Sequence, residues 1–473
     1  MSKDTISRSI DSCTEASAKE DASSLARASC LGRVSLLGSE VMLFVLVAIG
    51  YLLISFMIPL PQGMSLTNGD EPHYLLMAHS LIYDHDLDLT NNYENRDYAP
   101  YYQGELERHQ FRVPGTSRIV PHHQVGLPIL ILPAYLMAGR NGVIIMLNLL
   151  MTIGIYNVYK TCLLYTERKQ AFLISLLAAF NYPIVIYSHQ IYPDTVAFVI
   201  VAYTIRKILY LKRENARSTA LSVALALSTL PFLHIRFAIF SVLLFLFLLW
   251  RGRSYIAVLT RWSCVPIVAS VVALYAWLYH LYGANLWAAL MSISKSLGIP
   301  VRYPFVGVLG LLADQEFGLF IYAPLYMLSL SGFILLLREP RTRQDALAMG
   351  ITYLCYHLLV GTYPDWAGGL SPVPRYLIPV LPILVIFLAK GVDCAPQRGK
   401  VIHTLALYML NGAITLVILF NRLFMFGFGV GSNSMLRELG QEHLTVLLPS
   451  FWTRGFEDLP LLIVWTLLLL PYL

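Results

Sequence analysis

Long apolar blocks separated by short polar segments dominate the chain. Runs lie at about 39–60, 141–160, 170–188, 193–211, 217–233, 236–250, 256–282, 317–337, 344–361, 376–392, 401–424 and 459–473. Each approaches the roughly 20 apolar residues that carry a helix across a bilayer. Open strands would leave backbone groups unsatisfied in lipid, so the runs predict helices. The pattern therefore predicts an all-α polytopic membrane protein with about 12 transmembrane helices.

One run is too short to join that count. The stretch "HQVGLPILILPAYLMAG" is apolar but brief, and it carries Pro128 and Pro133. Such a segment suits an interfacial helix better than a span. Sidedness supports this. With 124–138 outside the count, most of the 34 Lys and Arg fall on one side of the membrane. They include Lys3, Arg8 and Arg33, then Lys160 and Arg168, Arg206 to Arg217, Arg251 to Arg261, Arg338 to Arg343, and Lys390 to Lys400. The positive-inside rule then predicts a cytoplasmic N-terminus. Residues 61–140 become one large exterior loop, and 283–316, 362–375 and 425–458 become further exterior segments.

The sequence divides on this plan into three regions. Residues 1–38, rich in Ser, Ala and charge, are expected to form a disordered cytoplasmic tail. Residues 39–250 form an N-terminal transmembrane module that includes the 61–140 loop. Residues 251–473 form a C-terminal transmembrane region.

Composition agrees with a membrane setting: 57% of the 473 residues are hydrophobic, 13% are charged, and the mean hydropathy is +0.61. The net charge of +6 comes from the cytoplasmic loops. It argues for membrane orientation and against a nucleic-acid partner. None of the six cysteines falls in an expected exterior loop, which leaves no disulfide to form there.

The polar residues that remain collect on the exterior side. "TNGDEPHYLLMAHSLIYDHDLDL" follows the first run, with the acid pair Asp70 and Glu71 at its start. A helix from His73 to Tyr83 would be amphipathic and suited to lie on the membrane surface. Asp70 or Glu71 could simply cap it, with Pro72 in its first turn. Other span ends carry Asp194, His234 with Arg236, Asp314 with Glu316, and Asp365, Trp366, Arg375 and Tyr376; His122 and His123 precede the short run. Ionisable groups at a membrane boundary are costly and either pair with one another or line a cavity. Their convergence on one side favours an active site. Carboxylates for a proton, arginines and histidines for an anion, and aromatics for a sugar face fit a lipid-linked phosphosugar. His234, Asp365, Trp366 and Tyr376 are the expected lining of its cavity.

Asp84, Asp86 and Asp88 form a second acidic cluster that could supply oxygen ligands to a divalent cation. Their spacing lacks the turn glycine and terminal glutamate of a calcium loop, so turn acids in water are the better expectation. His122 and His123 could instead serve a transition metal, although adjacent histidines tend to point apart.

The motifs and their order resemble the GT-C superfamily of integral-membrane glycosyltransferases. The resemblance is to the branch of protein O-mannosyltransferases and lipid A aminoarabinose transferases. It rests on Asp70-Glu71 after the first span, on His123-Gln124-Val125-Gly126-Leu127-Pro128 entering a short apolar helix, on Tyr192-Pro193-Asp194, and on Pro374-Arg375-Tyr376-Leu377. It covers 39 to about 211 best. The family often has two prolines after the histidine, where this chain has Gly126-Leu127-Pro128.

The resemblance implies inverting transfer of a sugar from a polyprenyl-phosphate donor to a lipid, glycan or protein acceptor, on the exterior face of the plasma (inner) membrane. Asp70 would be the general base, Glu71 would orient or tune it, and Asp194 would support the base or acceptor. Arg236 and Arg375, with His122 or His123, would bind the donor phosphate. Two other functions compete. A secondary transporter or lipid flippase would place ionisable groups at mid-membrane and show internal repeats. A ligase would move a whole lipid-linked oligosaccharide.

Overall fold

The structure is a computed structural model that describes residues 38–57, 65–113, 115–283, 305–393 and 398–469. The expected tail, apart from Gly38, and most of the 283–316 segment lie outside the described residues. The chain is an all-α polytopic membrane protein. Six described helices are long and apolar enough to cross a bilayer: Gly38–Met57, Gly126–Cys162, Ala216–Leu233, Arg253–Tyr282, Arg375–Val392 and Ile402–Phe420.

Of the remaining expected spans, 344–361 is an unbroken helix, Arg343–Gly361, with a less apolar sequence, and the others are shorter or broken. The run at 170–188 ends its first helix at Phe180, and a single turn, Ile184–Tyr187, follows. The run at 317–337 divides into Leu319–Tyr322, Pro324–Met327 and Leu328–Arg338. Pro183 and Pro324 stand at these breaks, where a missing N–H and a fixed φ stop a helix from continuing.

The short apolar run at 124–138 is set apart by a break in its helix. Gly126–Cys162 contains two residues with non-helical backbone, Ala138 (φ −151°) and Gly139 (φ 54°). Only glycine adopts the second angle without strain. The kink separates a helix over 126–137 from one beginning at Arg140. At about 1.5 Å per residue the first piece is only about 18 Å long, well short of a hydrocarbon core about 30 Å thick.

The helix Glu71–Tyr83 departs from expectation. It does not lie on a surface. Glu71, His73, Tyr74, Leu75, Leu76, Met77, Ala78 and Ser80 are all buried, so both its apolar and its polar faces are covered. It packs against Gly126–Cys162, and the loop with Tyr93, Tyr98 and Tyr101 closes over it. A helical wheel records which face is apolar but not whether a loop will cover the other one.

The centre of the bundle is the helix opened by Arg375: 83% of its apolar window is buried, against 11% for Arg253–Tyr282. Pro193–Leu209 packs along Gly126–Cys162, and Leu328–Arg338 packs along Leu381–Asp393. The second pair meets through small residues. A Cβ on Gly332 would run into the Phe387 carbonyl, and one on Gly391 into the Leu328 carbonyl. Small residues let helix backbones approach closely where lipid supplies no hydrophobic drive. By contrast, nothing lies within 4 Å of a Cβ on Gly412. The same substitution should therefore change sign between these sites. Gly332→Ala should lower stability in detergent by about 1–3 kcal/mol through overpacking. Gly412→Ala should raise it by about 0.5–1 kcal/mol through helix propensity. Thermal unfolding of the two variants beside the parent checks this, and equal shifts would contradict the close approach.

Candidate functional site

Four charged side chains, distant in sequence, form one ladder at the helix ends. Arg236 Nη2 donates to Asp194 Oδ1 at 2.6 Å. Arg375 Nε donates to Asp194 Oδ2 at 3.2 Å, and Arg375 Nη1 donates to Asp70 Oδ2 at 2.6 Å. Two carboxylates thus balance two guanidiniums. Asp194 is fully buried and the Arg375 side chain is 8% exposed, while Asp70 keeps 22% exposure at the open end. Charges this deep are stable only when paired and hydrogen-bonded.

Local structure aims each of them. Asp194 lies in the first turn of Pro193–Leu209, with Pro193 pre-set for a helix start. Arg236 lies in the 3-10 turn Ile235–Phe237, whose N–H bonds to His234 Nδ1 at 3.2 Å. Arg375 opens the 3-10 turn Arg375–Val380, and the segment before it is pinned by Val373 N–H to the Met425 carbonyl at 2.9 Å. The Tyr182 hydroxyl also donates to the Val373 carbonyl. Asp70 follows Gly69 (φ +56°), where a Cβ would strike the Leu370 carbonyl and the Tyr192 hydroxyl. Aromatic faces cover the cations: Tyr192 lies 4.3 Å from Arg375, and Tyr376 lies 4.5 Å from Arg236. Such stacking suits guanidinium groups out of water.

The adjacent acids have different surroundings. Asp70 stands at the helix start yet makes no side-chain cap bond, so capping does not account for it. Burial alone would raise its pKa, but the Arg375 charge and hydrogen bond, with His123 and His73 nearby, hold it well below the usual carboxylate range. Glu71 accepts N–H bonds from Ile191 at 2.8 Å and Asn68 at 3.0 Å. Burial nevertheless pushes Glu71 up to about 7, against the pull of Arg140, those N–H bonds and Arg422.

A histidine group flanks Asp70. The antiparallel strands Gln110–Arg112 and Ile119–Pro121 bring His109 beside His122 and His123. His109 Nδ1 and His123 Nε2 are 3.0 Å apart, and the His73 ring stacks on His109 at 3.8 Å. Burial pushes His123 down to about 4, and Asp70 pulls against it. Ligand atoms of Asp70, His109 and His123 all lie within 4.8 Å of one another, a set that could hold a divalent transition metal. Asp84, Asp86 and Asp88 serve their own loop instead. Asp84 accepts from Asn92 at 2.7 Å, Asp86 from Ser80 at 3.2 Å and Asp88 from Thr90 at 2.6 Å.

Other expected lining residues divide. Tyr376 and Asp365 join the ladder's surroundings, with Arg375 and Asp70 in electrostatic reach of Asp365. Trp366 packs into an aromatic group with Phe317 and Trp452, and its indole fills the space left by Gly307 and Gly310. His109, Arg140 and Arg422 were not singled out by sequence. His73 could have been, since it stands one helical turn after Asp70.

No family model matches the chain, and no curated protein matches it significantly. Among solved structures it is similar to ArnT from Cupriavidus metallidurans in the apo state. That pair shares 16% identity over 77% of this chain and 62% of the other, with a TM-score of 0.47. It is also similar to the oligosaccharyltransferase AglB from Archaeoglobus fulgidus in complex with an inhibitory peptide and a dolichol-phosphate. There the identity is 9% over 80% of this chain and 55% of the other, with a TM-score of 0.46. The chain therefore spans less than two thirds of the length of either protein. Overlaps at this level assign no activity to it.

The segment 425–458 is held by a buried acid. Glu316 Oε1 accepts N–H bonds from Phe428 at 2.6 Å, Gly429 at 2.7 Å and Val430 at 3.3 Å, and Oε2 accepts from Gly431 at 2.7 Å. A neutral amide has one oxygen in place of two charged ones. Glu316→Gln should cost about 1–3 kcal/mol of docking. Limited proteolysis within 425–458 should then quicken at least several-fold, and unchanged cleavage would contradict the anchor.

Proposed function

We propose that the chain is a glycosyltransferase that moves a sugar from a polyprenyl-phosphate donor to an acceptor hydroxyl or amine at the exterior membrane face. The observation that carries this reading is the Asp70 carboxylate. It is kept ionised, partly open and hydrogen-bonded to Arg375 at the edge of a charge-balanced cluster.

Asp70 is the general base in this proposal. The acceptor oxygen attacks the anomeric carbon from the face opposite the phosphate. The new C–O bond forms as the sugar–phosphate bond breaks, and the bonding pair leaves with the phosphate. The acceptor proton passes to Asp70. A carboxylate this acidic is a weak base in the ground state, yet that suits the chemistry. Oxocarbenium character at the sugar carbon makes the attacking O–H strongly acidic only late in bond formation. A poised, ionised acceptor of that proton is enough.

Arg375 and Arg236 are held by Asp194, so they do not reorganise as negative charge builds on the leaving phosphate. Among the described residues the Nε of Arg236 has no hydrogen-bond partner, and it gives one donor for that phosphate. His122 and His123 are further donors near Asp70, and His234, Asp365 and Tyr376 border the sugar. A divalent ion on Asp70, His109 and His123 would act on phosphate charge as a Lewis acid. The acceptor would arrive through the 61–140 and 425–458 loops, with the N-terminus on the cytoplasmic side of the plasma membrane.

Asp70→Asn keeps the side chain's shape and removes its basicity. Transfer from purified polyprenyl-phosphate sugars should fall by about 100- to 10,000-fold. The measurement is product formation by the purified variant beside the parent. Transfer at the parental rate would remove the base from this proposal.

A further inference from the structure

Asp70 faces two histidines as well as Arg375. Ligand atoms of Asp70, His109 and His123 lie within 4.8 Å of one another, and His109 Nδ1 and His123 Nε2 are 3.0 Å apart. Two nitrogens bound to one tetrahedral zinc at about 2.0–2.1 Å stand about 3.3 Å from each other. The histidine pair already has nearly that spacing. Side-chain movement of about 1.5 Å or less brings the carboxylate to it.

Each of the three residues is held from behind. The His109 carbonyl accepts the His122 N–H at 3.0 Å, which extends the hairpin beyond Gln110 and Pro121. The His109 N–H donates to the Tyr93 hydroxyl at 3.1 Å, and that hydroxyl lies 2.9 Å from His73 Nδ1. The His73 ring covers one face of His109, and the Tyr74 ring packs on His123 at 4.8 Å. The Asp70 N–H donates to the Tyr192 hydroxyl at 3.3 Å. Arg375 takes Oδ2 of Asp70, and among the described residues Oδ1 accepts no hydrogen bond. His122, the neighbour of His123, packs on Phe111 at 5.3 Å and stands outside the set. Ligands whose positions are locked by packing and hydrogen bonds suit an ion without rearrangement of the backbone.

The donor set names the ion. Two imidazole nitrogens and one carboxylate oxygen suit Zn²⁺ and its neighbours in the first transition row. Mg²⁺ and Ca²⁺ prefer shells made of oxygen. Three protein ligands leave the fourth zinc position open to a water or a substrate oxygen.

We propose that Asp70, His109 and His123 form a site selective for a zinc-type ion over Mg²⁺ and Ca²⁺. This deepens the reading of Asp70 given above and rests on it only for the ion's part in sugar transfer. The binding itself needs no sugar donor.

The full-length chain, purified without a histidine tag in neutral detergent and stripped with a chelator, is titrated calorimetrically with Zn²⁺, Mg²⁺ and Ca²⁺. Zn²⁺ should bind at least tenfold more tightly than the other two. His109→Ala and His123→Ala should each weaken zinc at least tenfold, whereas His122→Ala should leave it unchanged. Co²⁺ in place of zinc should give a strong visible absorption in the parent and lose it in both ligand variants. Thermal unfolding separates a lost ligand from a lost fold. Without metal the variants should unfold as the parent does, and zinc should raise the midpoint of the parent and of His122→Ala alone. Mg²⁺ bound as tightly as zinc would overturn the class of ion. Undiminished zinc binding in His109→Ala and His123→Ala would overturn the site, and an equal loss in His122→Ala would overturn the choice of ligands. No donor is present, so a chain that binds zinc here and transfers nothing would support this site and contradict the transfer reaction.

Discussion

A fully buried aspartate holding two arginines sets the terms for the rest of the molecule. Asp194 accepts from both Arg236 and Arg375 and is shielded from water. Taking any one of these groups out of water alone would be prohibitive, so the cluster persists only if all its members arrive together. Arg375 then reaches Asp70 across 305 residues of sequence. The fold has to bring four segments to one point: the early part of the 61–140 segment, the start of Pro193–Leu209, the turn at 235–237 and the turn at 375–380. That need explains the pinned segment at 372–374, the tight turn at Gly69 and the aromatic faces over the cations.

The buried acids in this structure work in two distinct ways. Asp194 binds cations, and its value lies in fixing guanidinium groups where negative charge is to be handled. Among the described residues, Glu316 accepts hydrogen bonds from backbone N–H groups and holds the 428–431 stretch in place. Glu71 stands between these cases, satisfied by two N–H groups and still near two arginines. The acid pair that looks like one feature in sequence is two, because successive residues at a helix start project in different directions.

Much of the fold was legible. Apolar blocks mark the helices, and the prolines and Gly139 mark where they break. The kink that sets 126–137 apart follows from the shortness of that run. Asp70, Asp194, Arg236 and Arg375 were legible as unusual residues at helix ends, since lipid makes every such residue expensive. Their pairing was not, because pairing depends on which ends the bundle brings together. The burial of Glu71–Tyr83 was hidden for the same reason: the cover comes from a loop with no periodic signal. His109 was hidden because a short hairpin, not helical spacing, carries it to Asp70.

The central claim is that Asp194 and Arg375 act as one unit. A double-mutant cycle measures that directly, with Asp194→Asn, Arg375→Gln and the pair unfolded thermally in detergent. Contacting charged residues of this kind couple by about 0.5–3 kcal/mol. The account predicts that the double variant loses less stability than the sum of the single losses, by an amount in that range. Losses that simply add would contradict it.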